Sequence, residues 1–76
     1  MNNLPEIKLG KRGRVFGFEA GSQPYRRHLL SLGLTPGTEF QVTRIAPLGD
    51  PIEIRVRGTA ISLRKHEAVV VLVDEI

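Results

Sequence analysis

Apolar and charged side chains alternate strictly in the segment that follows Pro51 and ends at Gly58. Its apolar residues are Ile52, Ile54 and Val56, and its charged residues are Glu53, Arg55 and Arg57. Because successive strand residues point to opposite faces, this pattern predicts an antiparallel strand with one buried and one solvated face. A helix would need apolar residues three and four positions apart, so the pattern argues against a helix here.

Four further segments have the composition of short strands, at residues 14–18, 38–46, 60–63 and 69–73. In the first segment we expect Val15 on one face and Phe16 and Phe18 on the other. The inward residues of the next two are expected to be Phe40, Val42, Ile61 and Leu63. Five short strands joined by tight turns predict one small, mostly β domain over residues 1–76, a barrel or roll with one or two short helices. We expect residues 1–6 to form a loose lead-in.

One helix is indicated between Ser22 and Gly33. Ser22 is a good N-cap, and Pro24 suits the first helical turn, where its missing N–H is no loss. Gly33 can adopt the left-handed conformation that ends many helices. The apolar stripe of this helix has the spacing i, i+4 and i+7 and consists of Tyr25, Leu29 and Leu32. A Pro-Gly turn at residues 36–37 then leads into the next strand.

Size and composition limit the classes of function. A chain of 76 residues forms one domain, and the absence of cysteine excludes thiolate metal sites and thiol catalysis. Residues 1–10 lack the apolar core of a secretory signal, and the longest apolar run, residues 68–73, is far below the ~20 residues that span a bilayer. We therefore expect a cytoplasmic protein that does not insert into a membrane or move an ion across one by itself.

The residues that could carry chemistry are few. His28 and His66 are the only histidines, and neither has a second ligand at metal-binding spacing in the sequence. His28 and Ser31 share a helix face, but no acid nearby would orient the histidine. We expect no catalysis, no cofactor and no specific metal site, although folding could still bring one histidine to Asp50 or Glu53.

Three segments together resemble one protein family. LLSLGLTPGTEF, APLGDPIEI and ISLRKHEAVVV, in this order and spacing, are similar to the FeoA family of ferrous iron transport proteins. The resemblance runs over roughly residues 9–73. It implies an SH3-like barrel in a small bacterial cytoplasmic protein and a non-enzymatic accessory role in ferrous iron uptake. It also implies a partner, the FeoB-type membrane iron transporter with its cytoplasmic GTP-binding domain.

The helix and the turn after it are the predicted partner interface. Arg26 and Arg27 lie in the first helical turn, where positive charge opposes the helix dipole, so a contact with an acidic partner is one reason to keep them. The alternative is that both arginines only aid solubility. Leu30 lies about 100° around the helix from Leu29, at the edge of the apolar stripe. The complete predicted interface is Arg26, Arg27, Leu30, Leu34, Pro36 and Gly37, with a core position as the alternative for both leucines.

Three other functions stay open. A basic outer face of Arg44, Arg55 and Arg57 would suit nucleic acid, but Glu53 interrupts it and stacking aromatic residues are scarce. The last strand, residues 69–73, is apolar on both faces, which indicates either cover on both sides or contact with a second copy of the chain. A module that binds a transition metal and regulates transport is the third alternative.

Overall fold

The structure is a computed structural model that describes residues 2–76, so Met1 lies outside the described residues. The described strands are β1 Asn2–Asn3, β2 Arg12–Phe18, β3 Glu39–Ile45, β4 Ile52–Val56, β5 Thr59–Leu63 and β6 Val71–Glu75. The helices are α1 Gln23–Ser31 and α2 Lys65–Ala68, and single 3₁₀ turns cover Leu4–Glu6 and Pro47–Gly49.

All described strands form one antiparallel sheet in the order β1-β6-β2-β3-β4-β5. The register shifts once between β2 and β6, at Val15 and Gly17, and once between β3 and β4, at Val42 and Arg44. Such bulges increase the local twist and bend a strand. The sheet accordingly curls around its own apolar face, and the molecule measures 27 × 24 × 23 Å. The predicted mostly β architecture is confirmed, with one more strand than expected.

The core lies inside the curled sheet. Its strand residues are Val15, Phe40, Val42, Ile52, Ile54, Val56, Ile61, Leu63, Val71 and Val73. The alternation predicted for β3, β4 and β5 is confirmed, because every inward residue named for these strands is buried. Leu29 from α1 and Ala68 from α2 complete the core with Leu4, Ile7 and Leu34.

The N-terminal segment is ordered, and the expectation of a loose lead-in is wrong for the described residues 2–6. Asn2 and Asn3 pair with Val73 and Leu72 of β6, and the Leu4 side chain is fully buried. The Asn3 backbone N–H donates to the Glu6 carboxylate at 2.7 Å, which fixes the turn between them. A strand of two residues is too short to show an alternation of apolar and polar side chains, so β1 could not be predicted from its own sequence.

The expected faces of β2 are also wrong in part. Val15 is buried and Phe16 is 61% exposed, so these two residues lie on opposite faces as predicted, but Phe18 packs against the core on the side of Val15. The shift of register between Val15 and Gly17 explains this result, because a bulge interrupts the alternation of faces along a strand. Of the three phenylalanines, Phe40 alone is fully inside the core.

Helix α1 has the predicted boundaries. Ser22 is the N-cap residue, Pro24 lies in the first turn, and Gly33 after the helix has φ +97°. Leu29 is buried, and Tyr25 and Leu32 pack against the core, so the predicted stripe is confirmed. The Ser22 hydroxyl makes no capping hydrogen bond in the described structure.

The last strand begins later than predicted. Val69 caps the C-terminus of α2 and is exposed, whereas Val71 and Val73 of β6 are buried. Strand β6 pairs with β1 on one edge and with β2 on the other. Within β6, Val71 and Val73 are buried and Leu72 between them is partly buried, so the two faces of the strand are not equally covered. Contact with a second copy of the chain stays a prediction.

A candidate protein-docking face

The exposed side of α1 brings together three of the residues predicted for the interface. Residues three and four apart lie on one face of a helix, so Arg26, Arg27 and Leu30 are neighbours. Leu30 is 37% exposed, Arg27 is exposed and Arg26 is partly buried. We call these three residues the α1 face. It consists of the apolar side chain of Leu30 and two arginine side chains that lie one helical turn before it.

Arg26 is held in place by an aromatic ring. Its guanidinium carbon lies 5.8 Å from the centre of the Phe18 ring, within the range of a cation–π interaction. Its Nε is buried and has no hydrogen-bond partner in the described structure. None of the ion pairs within residues 2–76 includes Arg26 or Arg27. The positive charge of the α1 face is therefore not neutralised by a carboxylate of the described chain.

Arg57 adds a third cation at the other end of the helix. It lies in the turn between β4 and β5 with φ +51°, and its Nη1 is 3.9 Å from the point where Gly33 would carry a Cβ. A cation at the C-terminus of a helix is favourable, because the last carbonyl groups carry partial negative charge. The alternation of residues 52–57 predicts Arg57 on the outer face with Arg44 and Arg55, and only folding brings the β4–β5 turn to α1.

The turn after α1 contributes less surface than expected. Leu34 is 0% exposed and belongs to the core, so its assignment to the interface is wrong for this conformation. Pro36 and Gly37 are exposed as the interface requires. Gly37 has φ +91°, and its N–H donates to the carbonyl of Val15 at 2.8 Å, which ties the turn to β2. The turn is thus a fixed part of the surface beside the helix.

The two histidines hold α1 against α2. His28 Nε2 lies 3.4 Å from Glu67 Oε2, and the rings of Tyr25 and His66 are 5.6 Å apart. Asp50 is engaged elsewhere, since its Oδ1 accepts a hydrogen bond from the Lys65 backbone N–H at 3.0 Å. Within residues 2–76 no three His, Asp or Glu side chains are grouped closely enough to hold a metal ion. In this structure the imidazoles join the helices.

Residues 11–14, KRGR, are the densest basic cluster of the sequence, and their positive charge is partly neutralised. Glu39 accepts hydrogen bonds from Arg12 at 2.7 Å and from Arg14 at 3.0 Å. The hydrogen bond from Arg14 is the largest cause of the lowered pKa of Glu39; desolvation opposes it, and the positive charges of Arg14 and Arg12 lower the pKa further. This cluster therefore offers less free positive charge than its sequence suggests.

The outer face of β3 and β4 carries both signs of charge. Arg44 lies opposite Glu53 in the sheet, and Arg55 lies opposite Gln41. Arg44 and Glu53 also line a surface pocket of about 240 Å³ together with Ala46, Pro51 and Ser62. A carboxylate beside the arginine disfavours a phosphate in this pocket. The basic strip proposed for nucleic acid is therefore interrupted in space as it is in the sequence.

Neither helix in the described part of the chain is long and apolar enough to cross a bilayer.

Comparison with known proteins identifies the fold and the family. The model of the FeoA domain matches residues 2–75. An NMR structure of a FeoA-like protein from Clostridium acetobutylicum is 37% identical, with a TM-score of 0.89 over 99% of this chain and 86% of the other. The crystal structure of Stenotrophomonas maltophilia FeoA complexed with zinc, described as a prokaryotic SH3 domain protein, is 28% identical with a TM-score of 0.83 over 97% of this chain and 91% of the other.

A longer relative joins two proteins in one chain. The Fe(2+) transport protein A/Fe(2+) transporter FeoB fusion protein of Porphyromonas gingivalis is 30% identical over 71 residues. This match covers 93% of the present chain, which spans only 8% of the fusion protein. The SH3-like fold implied by the resemblance is confirmed, and the chain belongs to the family of the FeoA domain.

Proposed function

We propose that this protein is a non-enzymatic, cytoplasmic accessory of bacterial ferrous iron uptake that binds the GTP-binding domain of a FeoB-type membrane transporter. The observation that carries the proposal is the P. gingivalis fusion, in which a FeoA segment and the transporter share one chain. Fusion makes a contact intramolecular and raises the effective concentration of the partners to about millimolar for short linkers. Where the two proteins are separate chains, the affinity of the same contact depends on the docking surface alone.

The α1 face has the composition of such a surface. Apolar side chains and arginines are enriched in the energetically important part of protein interfaces, and charged residues at the rim guide association. Leu30 supplies the apolar anchor, Arg26 and Arg27 lie on one side of it, and Arg57 lies near the helix end. We infer that the partner surface is acidic around an apolar pocket, with Pro36 and Gly37 at its margin.

Binding regulates the transporter if it distinguishes two of its conformations. A ligand shifts an equilibrium only by the difference between its affinities for the two states. We propose that the α1 face binds one nucleotide-dependent state of the GTP-binding domain more tightly than the other. The rate of GTP hydrolysis by that domain, measured with and without the present protein, reports such a shift.

A calorimetric titration with the isolated soluble domain of the transporter tests the docking face. The variant is Arg26→Glu with Leu30→Glu, which should weaken binding by at least about tenfold, or 1.4 kcal/mol. The matched control is Arg44→Glu with Ile45→Glu on β3, because Ile45 has the same 37% exposure as Leu30 and follows an arginine. Both variants undergo the same change in net charge.

The results separate the two parts of the proposal. Loss of binding in the α1 variant but not in the β3 control supports the α1 face. Equal loss in both variants shows that net charge and not this face determines affinity. Undiminished binding in the α1 variant refutes the docking assignment, and a wild-type protein that does not bind the soluble domain refutes the partner.

A further inference from the structure

Strand β5 forms an open edge of the sheet. It stands last in the strand order and pairs only with β4, through five residue pairs without a shift in register. On its other side, no backbone hydrogen bond joins β5 to any part of the described chain. The opposite edge of the sheet, β1, is only two residues long. Strand β5 is therefore the longer of the two edges.

The hairpin geometry shows which backbone groups are free. Arg57 and Gly58 both have positive φ, +51° and +80°, as expected for the two-residue turn that matches the twist of a hairpin. In such a hairpin the residues beside the turn, Val56 and Thr59, exchange hydrogen bonds, and every second pair does the same. Ala60 and Ser62 belong to the intervening pairs, so their N–H and C=O groups point away from β4.

The usual protections of an edge strand are missing from β5. Natural edges are shielded by lysine, proline, a bulge or an inward-pointing charge, and β5 has the sequence TAISL with regular pairing. Ile61 and Leu63 are buried on the inner side, and Thr59, Ala60 and Ser62 are exposed. The strand is thus held firmly from within, and its outer edge is accessible to an extended chain.

The charges around this edge indicate its partner. Arg55 lies opposite Ala60, Arg57 lies in the turn before β5, and Arg64 and Lys65 follow the strand. Residues 54–66 contain no aspartate or glutamate. Two carboxylates lie beside this stretch: Glu53, which is opposite Ser62 in the β4–β5 ladder and opposite Arg44 in the β3–β4 ladder, and Asp50, which lies 3.9 Å from Arg64. The four cations around the edge outnumber these two carboxylates.

We propose that the β5 edge binds an extended acidic segment of a partner protein as an added strand. The N–H and C=O groups of Ala60 and Ser62 pair with the backbone of this segment, and its carboxylates lie near Arg55, Arg57 and Lys65. A second copy of β5 is disfavoured, because it would bring like charges together. Single-stranded nucleic acid offers phosphate acceptors but no backbone N–H for the carbonyl groups of the edge. The inference does not depend on the identity of the transporter.

NMR titration of the ¹⁵N-labelled full chain tests this site. The probe is the capped peptide acetyl-Thr-Glu-Val-Glu-Thr-amide, and the matched control replaces each Glu with Lys. We expect the acidic peptide to shift the Ala60 and Ser62 amide signals and to slow their hydrogen exchange. The lysine peptide should bind at least about tenfold more weakly, since it meets like charges at both ends of the strand.

Two proline variants test the backbone pairing. Ala60→Pro removes an outward N–H without removing a bond to β4, and proline is tolerated on edge strands for that reason. It should abolish the response to the acidic peptide, whereas Ala60→Thr, which keeps the N–H, should not. Thermal denaturation checks that each variant folds, and Ser62→Pro replaces Ala60→Pro if the latter does not.

Three outcomes would overturn the inference. The first is the absence of any shift at Ala60 and Ser62 at millimolar acidic peptide, and the second is equal binding of the lysine peptide. The third is binding of oligothymidylate at these amides as tightly as the acidic peptide, which would make the edge part of a nucleic-acid surface. The peptide arms use the wild-type protein, so their outcome does not depend on the folding of a variant.

Discussion

Gly13 of β2 occupies a place where the core leaves no room for a side chain. A Cβ at this position would lie 2.6 Å from Cζ and 2.9 Å from Cε1 of Phe40, and 3.2 Å from the carbonyl oxygen of Asp74. Phe40 is the register partner of Gly13 and is buried in the core, so its ring cannot turn out into solvent. The substitution Gly13→Ala therefore forces either the ring or the strand to move.

The expected size of the effect follows from two opposing terms. Overpacking a well-packed core costs about 1–3 kcal/mol. Replacing glycine by alanine stabilises the folded protein by about 0.4–1 kcal/mol, because it lowers the entropy of the unfolded chain. We expect a net loss of about 1–2 kcal/mol, which is a large part of the ~4–11 kcal/mol that the per-residue rule assigns to a chain of this length.

Urea denaturation of the variants measures this loss. The control is Gly17→Ala in the same strand, where an added Cβ would meet nothing within 4 Å. We expect Gly17→Ala to be neutral or stabilising by less than about 1 kcal/mol. The second check shortens the side chain that faces Gly13. Phe40→Leu lacks Cζ, so it should lower the free energy of unfolding less in the Gly13→Ala background than in the wild-type protein.

The reasoning is refuted if Gly13→Ala is as stable as Gly17→Ala. It is also refuted if the effects of Gly13→Ala and Phe40→Leu simply add, because steric conflict between the two positions predicts a favourable coupling in the double variant.

Three further predictions concern the N-terminus, an acidic side chain and the hairpin tip. Leu4→Ala should lower the free energy of unfolding by about 2–5 kcal/mol in urea denaturation, whereas a loose N-terminus would give no loss. The hydrogen bond from Arg14, together with the charges of Arg14 and Arg12, lowers the pKa of Glu39 below the ordinary value of 4.5. The stability advantage over Glu39→Gln should therefore be full above pH 4.5 and disappear as the pH falls through the folded-state pKa. A difference that grows toward acid pH would contradict this sign. Leu48 has φ +70° and is 99% exposed at the tip of the β3–β4 hairpin, so Leu48→Asn should raise the free energy of unfolding by up to about 1 kcal/mol; a loss would show that the leucine side chain contributes to folding.

The elements with strong local patterns were predictable from the sequence. Strands β3, β4 and β5 follow the alternation of their apolar residues, and α1 follows its cap, its stripe and Gly33. These signals are local, because the period of two or 3.6 residues and the φ preference of a glycine act within a few residues. The family was evident from the same segments, since their turns and apolar positions stand in one order and spacing.

Part of the docking face was predictable for the same reason. Arg26, Arg27 and Leu30 share a face once α1 is recognised, and the helix period alone places them together. Leu34 shows the limit of this reasoning. It is as apolar as Leu30 and only four residues away, yet it is fully buried, because Gly33 with φ +97° ends the helix and Leu34 no longer follows the helical period.

Tertiary structure alone decided the remaining features. The pairing of Asn2 and Asn3 with β6, the exposure of Phe16 at a bulge and the approach of Arg57 to Gly33 all join residues that are distant in the chain or depend on strand register. The open edge of β5 is of the same kind, because an edge is defined by the strand that is missing beside it. Side-chain period determines which face of a strand is apolar, but the neighbour of each strand is chosen by packing the whole sheet around one core.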